Sequence, residues 1–171
     1  MPDLLIRIKK KTDGSAALSC TRADGSVTWQ RQDGQLGAFF PLHDLTHYAV
    51  ERVLELPHAF YGLLADGWDL SDFGKAGAKG PLPADAQLAE LIVGFFDLER
   101  ATGFIGTADE FNEKIQSWYA NDKRTPPAFR MSDAQLARIR EEREKAFALW
   151  KALSPGDTLE MPFERRAQSV A

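Results

Sequence analysis

Three Asp-Gly pairs, Asp13-Gly14, Asp24-Gly25 and Asp33-Gly34, punctuate the start of the chain. The runs between them alternate. Leu4, Ile6 and Ile8 stand against Leu5, Arg7 and Lys9; then come Leu18-Ser19-Cys20-Thr21 and Val27-Thr28-Trp29-Gln30-Arg31. A period of two puts successive side chains on opposite faces of a strand. Asp-Gly between such runs is a strong hairpin signal, because type I′ turns need positive φ at both central residues. Residues 1–35 therefore predict a three-stranded antiparallel meander. Lys9-Lys10-Lys11 reads as a solvated strand end that discourages edge pairing.

After Phe39-Phe40-Pro41 the period becomes helical. Leu42, Leu45, Ala49, Val53 and Leu56 follow the i, i+3, i+4 rule, with Pro41 as the first helical position. Pro57 ends this helix, and a short one is expected from His58 to about Ala65. The stretch 66–83 is rich in Gly, Asp and Pro and reads as loop. Its run Gly74 to Gly80 lacks the order of a phosphate-binding loop and follows no predicted strand. A third helix is predicted over 83–102 with Gly103 as its C-cap. Capping boxes at Thr107–Glu110 and Ser132–Gln135 open a fourth and a fifth. The charged run Arg140 to Lys145 is a wet helix face. Leu159, Met161 and Phe163 then alternate as an edge strand over 157–164, with Pro162 barring a central position. Residues 165–171 are expected to form a loose tail.

Strands first, helices over 41–153 and one strand at the end indicate an α+β fold rather than an alternating parallel one. The helices, about five, are expected on one face of a small antiparallel sheet. The length of 171 residues suits a single domain, and 44% hydrophobic against 27% charged residues allows a core. A net charge of −4 argues against nucleic acid as a partner, which requires Lys and Arg to neutralise phosphates. It argues equally against a polybasic membrane anchor. The N-terminus lacks the pattern of a signal peptide, and no apolar run reaches membrane-spanning length. The single cysteine, Cys20, forms no internal disulfide, fits a reducing, cytoplasmic compartment and reads as a small buried hydrophobe.

Chemistry enters with the histidines. His43, His47 and His58 are the chain's three, all within one short window. Positions four apart share a helix face, so His43 and His47 can aim at one point and hold one divalent metal, zinc or another. On a helical wheel they fall at the border of the apolar face beside Val50 and Leu54, with Asp44, Glu51 and Glu55 in the next sector. A metal site wants such a border. Glu51 lies eight residues from His43, about 12 Å of helix rise, which suits a partner of the His47 ring better than a third ligand. His58 follows a proline break and can fold back as a third ligand. Glu90 shares its side of the third helix with Gln87, Gly94 and Asp97, and is expected on the solvated face.

His43-Asp44-Leu45-Thr46-His47-Tyr48-Ala49-Val50 resembles the zinc helix of thermolysin-like metallopeptidases, patterned His-Glu-x-x-His. The resemblance implies His43 and His47 as zinc ligands and Asp44 at the general-base position beside a metal-bound water. It implies a third, acidic ligand downstream near a Ser-Asp pair, which here directs attention to Asp66 and Asp69 beside Ser71-Asp72. Three readings of the histidine pair stay open: structural rings, a metal centre of a hydrolase-like protein, and metal-free acid–base work with Asp44 or Glu51 orienting His47. A reading of a different class is a non-catalytic binding module. In it Phe39, Phe40, Trp68, Phe73 and Phe104 line a surface for a partner or a second subunit, as in a homo-oligomer. The ligand, small molecule or peptide, is not specified by the sequence.

Overall fold

The computed structural model describes residues 1–74 and 79–165. The Gly74–Gly80 run and the tail at 165–171 therefore lie largely outside the described residues. Strands β1 (Leu4–Lys10), β2 (Ala16–Arg22) and β3 (Val27–Gln32) form the expected meander. Strand β4 (Thr158–Phe163) returns to pair antiparallel with β1, giving the order β3-β2-β1-β4. Pro162 lies opposite Leu5 on this edge strand, where a missing N–H is tolerated.

The helices are α1 (Gln35–Leu54), α2 (Phe60–Ala65), α3 (Ala84–Thr102), α4 (Ala108–Asn121) and α5 (Asp133–Ala152), with a short 3-10 turn at Leu70–Asp72. Both capping boxes form, and Gly103 closes α3 at φ 76°. No helix among the described residues is long and apolar enough to cross a membrane.

Two expectations need correction. The hairpin turns fall where the Asp-Gly pairs stand, but positive φ occurs at Gly14 and Gly25 only and not at the aspartates, so the turns are not type I′. Instead Asp13 and Asp24 each accept a bond from the backbone N–H of Ser15 and Ser26, at 3.0 and 2.8 Å. These Asx-type contacts hold loops longer than two residues. Secondly, α1 begins at Gln35 and carries Pro41 inside it. The third Asp-Gly pair starts this helix rather than another hairpin, with Gly34 at φ 55° as N-cap. Gly37 explains the early start. A Cβ there would lie 2.8 Å from the backbone oxygens of both Gln32 and Gly14, so only glycine lets the helix begin against the end of β3.

One sheet face supplies Leu4, Ile6, Ile8, Leu18, Cys20, Leu159, Met161 and Phe163 to an apolar cluster with Leu45, Tyr61, Leu64 and Ala146. Burial pushes the Cys20 thiol up to about 12, which suits packing and not nucleophilic attack. A second cluster joins Ala49, Val50 and Leu54 to α3, α4 and the start of α5. Helix α1 thus has apolar neighbours on two sides. Polar residues on it are forced into the interior, namely Asp44, Thr46, His47 and Glu51. Each must find a partner or leave an unpaired group.

Candidate metal centre

His43 and His47 both lie well inside α1, so their rings sit one turn apart with centroids 4.8 Å from each other. Each ring is anchored through Nδ1. That of His43 lies 2.6 Å from Asp97 Oδ2 on α3, and that of His47 lies 3.1 Å from Glu51 Oε1 on α1. A carboxylate accepts, so both Nδ1 atoms carry the proton. Each Nε2 is then left as the ligand nitrogen, the arrangement common to metal-binding histidines.

Glu90 of α3 completes the group. Its Oε1 lies 3.3 Å from His47 Nε2, yet that nitrogen, on a side chain 1% exposed, makes no hydrogen bond of proper geometry. One ligand atom from each of His43, His47 and Glu90 falls within 4.8 Å of the others, the only such group of three among the described residues. The sequence reading put Glu90 on the solvated face of α3. Its side chain is indeed 46% exposed, but that face turns its flank toward α1. The missed signal was the pair of carboxylates Glu90 and Asp97, two turns apart on one side of α3, which meet His47 and His43 in reverse order. It becomes legible only once α1 and α3 are known to lie side by side.

The electrostatics follow from burial. Desolvation alone would push the His47 imidazole down, but the hydrogen bond to Glu51 and the close carboxylates of Glu90 and Glu51 outweigh it and carry it up to about 10. Burial raises Glu51 against the opposing pull of His47. Burial also works to raise Glu90 and Asp97, yet His47 holds the first, and His43 with Arg100 the second, below the usual range. Without a metal, the two carboxylates favour the imidazolium form of His47. With one, that proton must leave.

The other sequence candidates lie elsewhere. Asp44 is 3% exposed and its Oδ2 accepts a 2.8 Å bond from Gln32 Nε2 on β3, so its carboxyl does not join the ligand group. His58 is exposed, with Nδ1 3.5 Å from Asp66 Oδ2. Asp66 also pairs with Arg165, and Asp69 with Arg22. None of His58, Asp66 or Asp69 belongs to the group. Glu51 touches His47 as the wheel suggested. Aromatic rings border the histidines: Phe39 stacks on His43 at 5.4 Å, Phe40 meets it edge-on at 5.6 Å, and Phe60 lies 5.0 Å from His47.

No protein-family model matches the chain, and searches of curated proteins and of solved structures returned no significant match.

Burial lifts the Asp44 carboxyl to about 6, with the Gln32 bond opposing it, from an ordinary value of 3.8. The folded state therefore holds this proton more tightly than the unfolded chain. Its stabilising contribution is full below about pH 4 and is lost as pH rises through 6. Asp44→Asn keeps an acceptor for Gln32 and adds a donor, near a buried Gln32 Oε1 that has no partner. The variant is expected to gain on the wild type by on the order of 2 kcal/mol between pH 4 and pH 7, in urea unfolding at both pH values. A difference that does not change with pH contradicts this.

Proposed function

We propose that His43, His47 and Glu90 bind a divalent metal ion, zinc by preference, in a hydrolase-like centre. One observation carries this reading: a buried imidazole nitrogen, His47 Nε2, has no hydrogen bond and faces a carboxylate, while the opposite nitrogen is pinned by Glu51. Two imidazoles and one carboxylate are a familiar zinc set, and three protein ligands leave a position open for a further ligand. A bound ion would supply Lewis-acid polarisation of a carbonyl or phosphoryl oxygen. Asp97 and Glu51 would orient the two rings and keep their Nε2 atoms unprotonated.

The likeness of residues 43–50 to a metallopeptidase zinc helix supports hydrolysis and gives Asp44 the general-base position. Its enclosure with Gln32 weighs against that role. A cytoplasmic setting is supported by the lone cysteine, and the acidic net charge speaks against nucleic acid. A second reading is favoured by the upward shift of His47: an imidazolium locked between Glu51 and Glu90 as a structural ion triad.

Metal analysis and calorimetric titration with Zn²⁺ separate the two. The metal reading expects one equivalent of zinc and its loss in His47→Ala. It expects affinity about 10–100-fold weaker in Asp97→Asn, which loosens the His43 ring without removing a ligand. No uptake by the wild type leaves the structural triad.

A further inference from the structure

The two histidines of the centre are not held alike. His47 is 1% exposed and is fixed by burial, with Phe60 5.0 Å from its ring. His43 is 18% exposed, so the core does not enclose it. Its bond to Asp97 sets the direction of Nδ1 but leaves the ring free to swing about that bond, because the second side-chain torsion of a histidine is broad and soft. A ligand nitrogen must hold its angle to within about 10–20°, and neighbours that lock the ring are what hold it there.

Phe39 and Arg100 supply that lock. Phe39 stands four residues before His43 on α1 and stacks on its ring, with centroids 5.4 Å apart and planes 29° from parallel. A stacked face opposes the swing that the in-plane bond permits. Phe39 is steadied in turn by Phe40, edge-on at 5.3 Å. Arg100 on α3 closes the arrangement. Its guanidinium lies 5.1 Å from the Phe39 centroid, and its Nη2 donates to Asp97 Oδ1 at 3.3 Å. His43 uses the other carboxylate oxygen, Oδ2, so ring and guanidinium do not compete for one acceptor. One arginine therefore touches both Phe39 on α1 and Asp97 on α3, the residue on the face of His43 and the residue at its edge.

Resting on the metal reading, we infer that Phe39 and Arg100 are positioning residues, which with Asp97 form a bracket across α1 and α3 that holds the His43 ring at the angle a metal needs. Neither belongs to the ligand group, and both act through His43. Co²⁺ is the probe, because its visible absorption follows ligand geometry. Phe39→Leu keeps the bulk and removes the flat face. Arg100→Met keeps the stem and removes the charge. Each is expected to bind Co²⁺ about tenfold more weakly than the wild type, with a shifted visible band. Phe39→Tyr keeps a flat ring and is expected to keep the wild-type affinity and band. The double variant is expected to lose little more than either single one, since both break one bracket. Tm is expected to change little throughout, both residues being exposed.

Wild-type affinity and an unmoved band in Phe39→Leu and Arg100→Met overturn the bracket and leave the metal centre standing. So does a Phe39→Tyr protein as impaired as Phe39→Leu. Weaker binding with an unmoved band and a fall in Tm marks a structural role alone and overturns it too. A wild-type protein that takes up no Co²⁺ overturns both the bracket and the metal reading.

Discussion

Glu51→Ala is expected to destabilise the protein by about 3–5 kcal/mol, the cost of removing one partner from a buried charged pair. Glu51 is buried with two jobs. Its Oε1 receives the His47 Nδ1 proton at 3.1 Å, and its Oε2 accepts from the Tyr61 backbone N–H at 2.9 Å. The second bond matters because α2 has Ala59 at its N-cap and no side-chain cap of its own. The orphan N–H groups at that end are met from α1 instead. Alanine would strand both a buried imidazole and a buried N–H.

The conservative Glu51→Gln separates stability from metal binding. The amide oxygen can still accept from Tyr61, so the loss in urea unfolding is expected to be about 1–2 kcal/mol. The amide nitrogen, however, donates toward His47 Nδ1. That favours the tautomer with the proton on Nε2, where the metal must bind. Zinc affinity is expected to fall far more than stability does. Equal zinc affinity in wild type and Glu51→Gln would show that this carboxylate does not set the tautomer.

These two helices show what a single sequence reveals and what it withholds. The α+β order, the meander, the two capping boxes, the C-cap at Gly103 and the edge strand with Pro162 are local signals, each read from a few adjacent residues. Helix α1 starts before Pro41 rather than at it: proline suits a first helical position by local rule, while the earlier start lies in Gly37 against Gln32 and Gly14, a contact between elements. The site divides in the same way. His43, His47 and Glu51 share one helix, and their spacing alone put them together. Glu90 and Asp97 come from a helix distant in sequence, and periodicity assigns a residue to a face without saying what that face meets. Asp44 shows the converse: its position beside the histidines in sequence suggested catalysis, while the fold turned it toward Gln32 on β3.

Gly62→Ala is expected to cost at least about 3 kcal/mol, seen as a fall in Tm of roughly 10 °C for a chain of this size. A Cβ at position 62 would lie 1.9 Å from the Pro57 carbonyl oxygen and 2.6 Å from its carbon. Both are backbone atoms, so no rotamer change relieves the clash. The turn that carries Pro57 has little freedom to give. It begins at Glu55 with φ 54°, and Leu56 N–H is bonded to the Glu51 carbonyl at 3.1 Å. Helix α2 must therefore shift by about an ångström to reach ordinary contact distances. That shift pulls Tyr61 N–H from Glu51 and moves Phe60 off the His47 ring, so zinc affinity is expected to fall along with stability. The same substitution at Gly94, where the space is open, is expected to have the opposite sign. A Gly62→Ala protein with unchanged Tm would mean that Pro57 and α2 can part without cost, and that α2 does not hold the histidine helix in place.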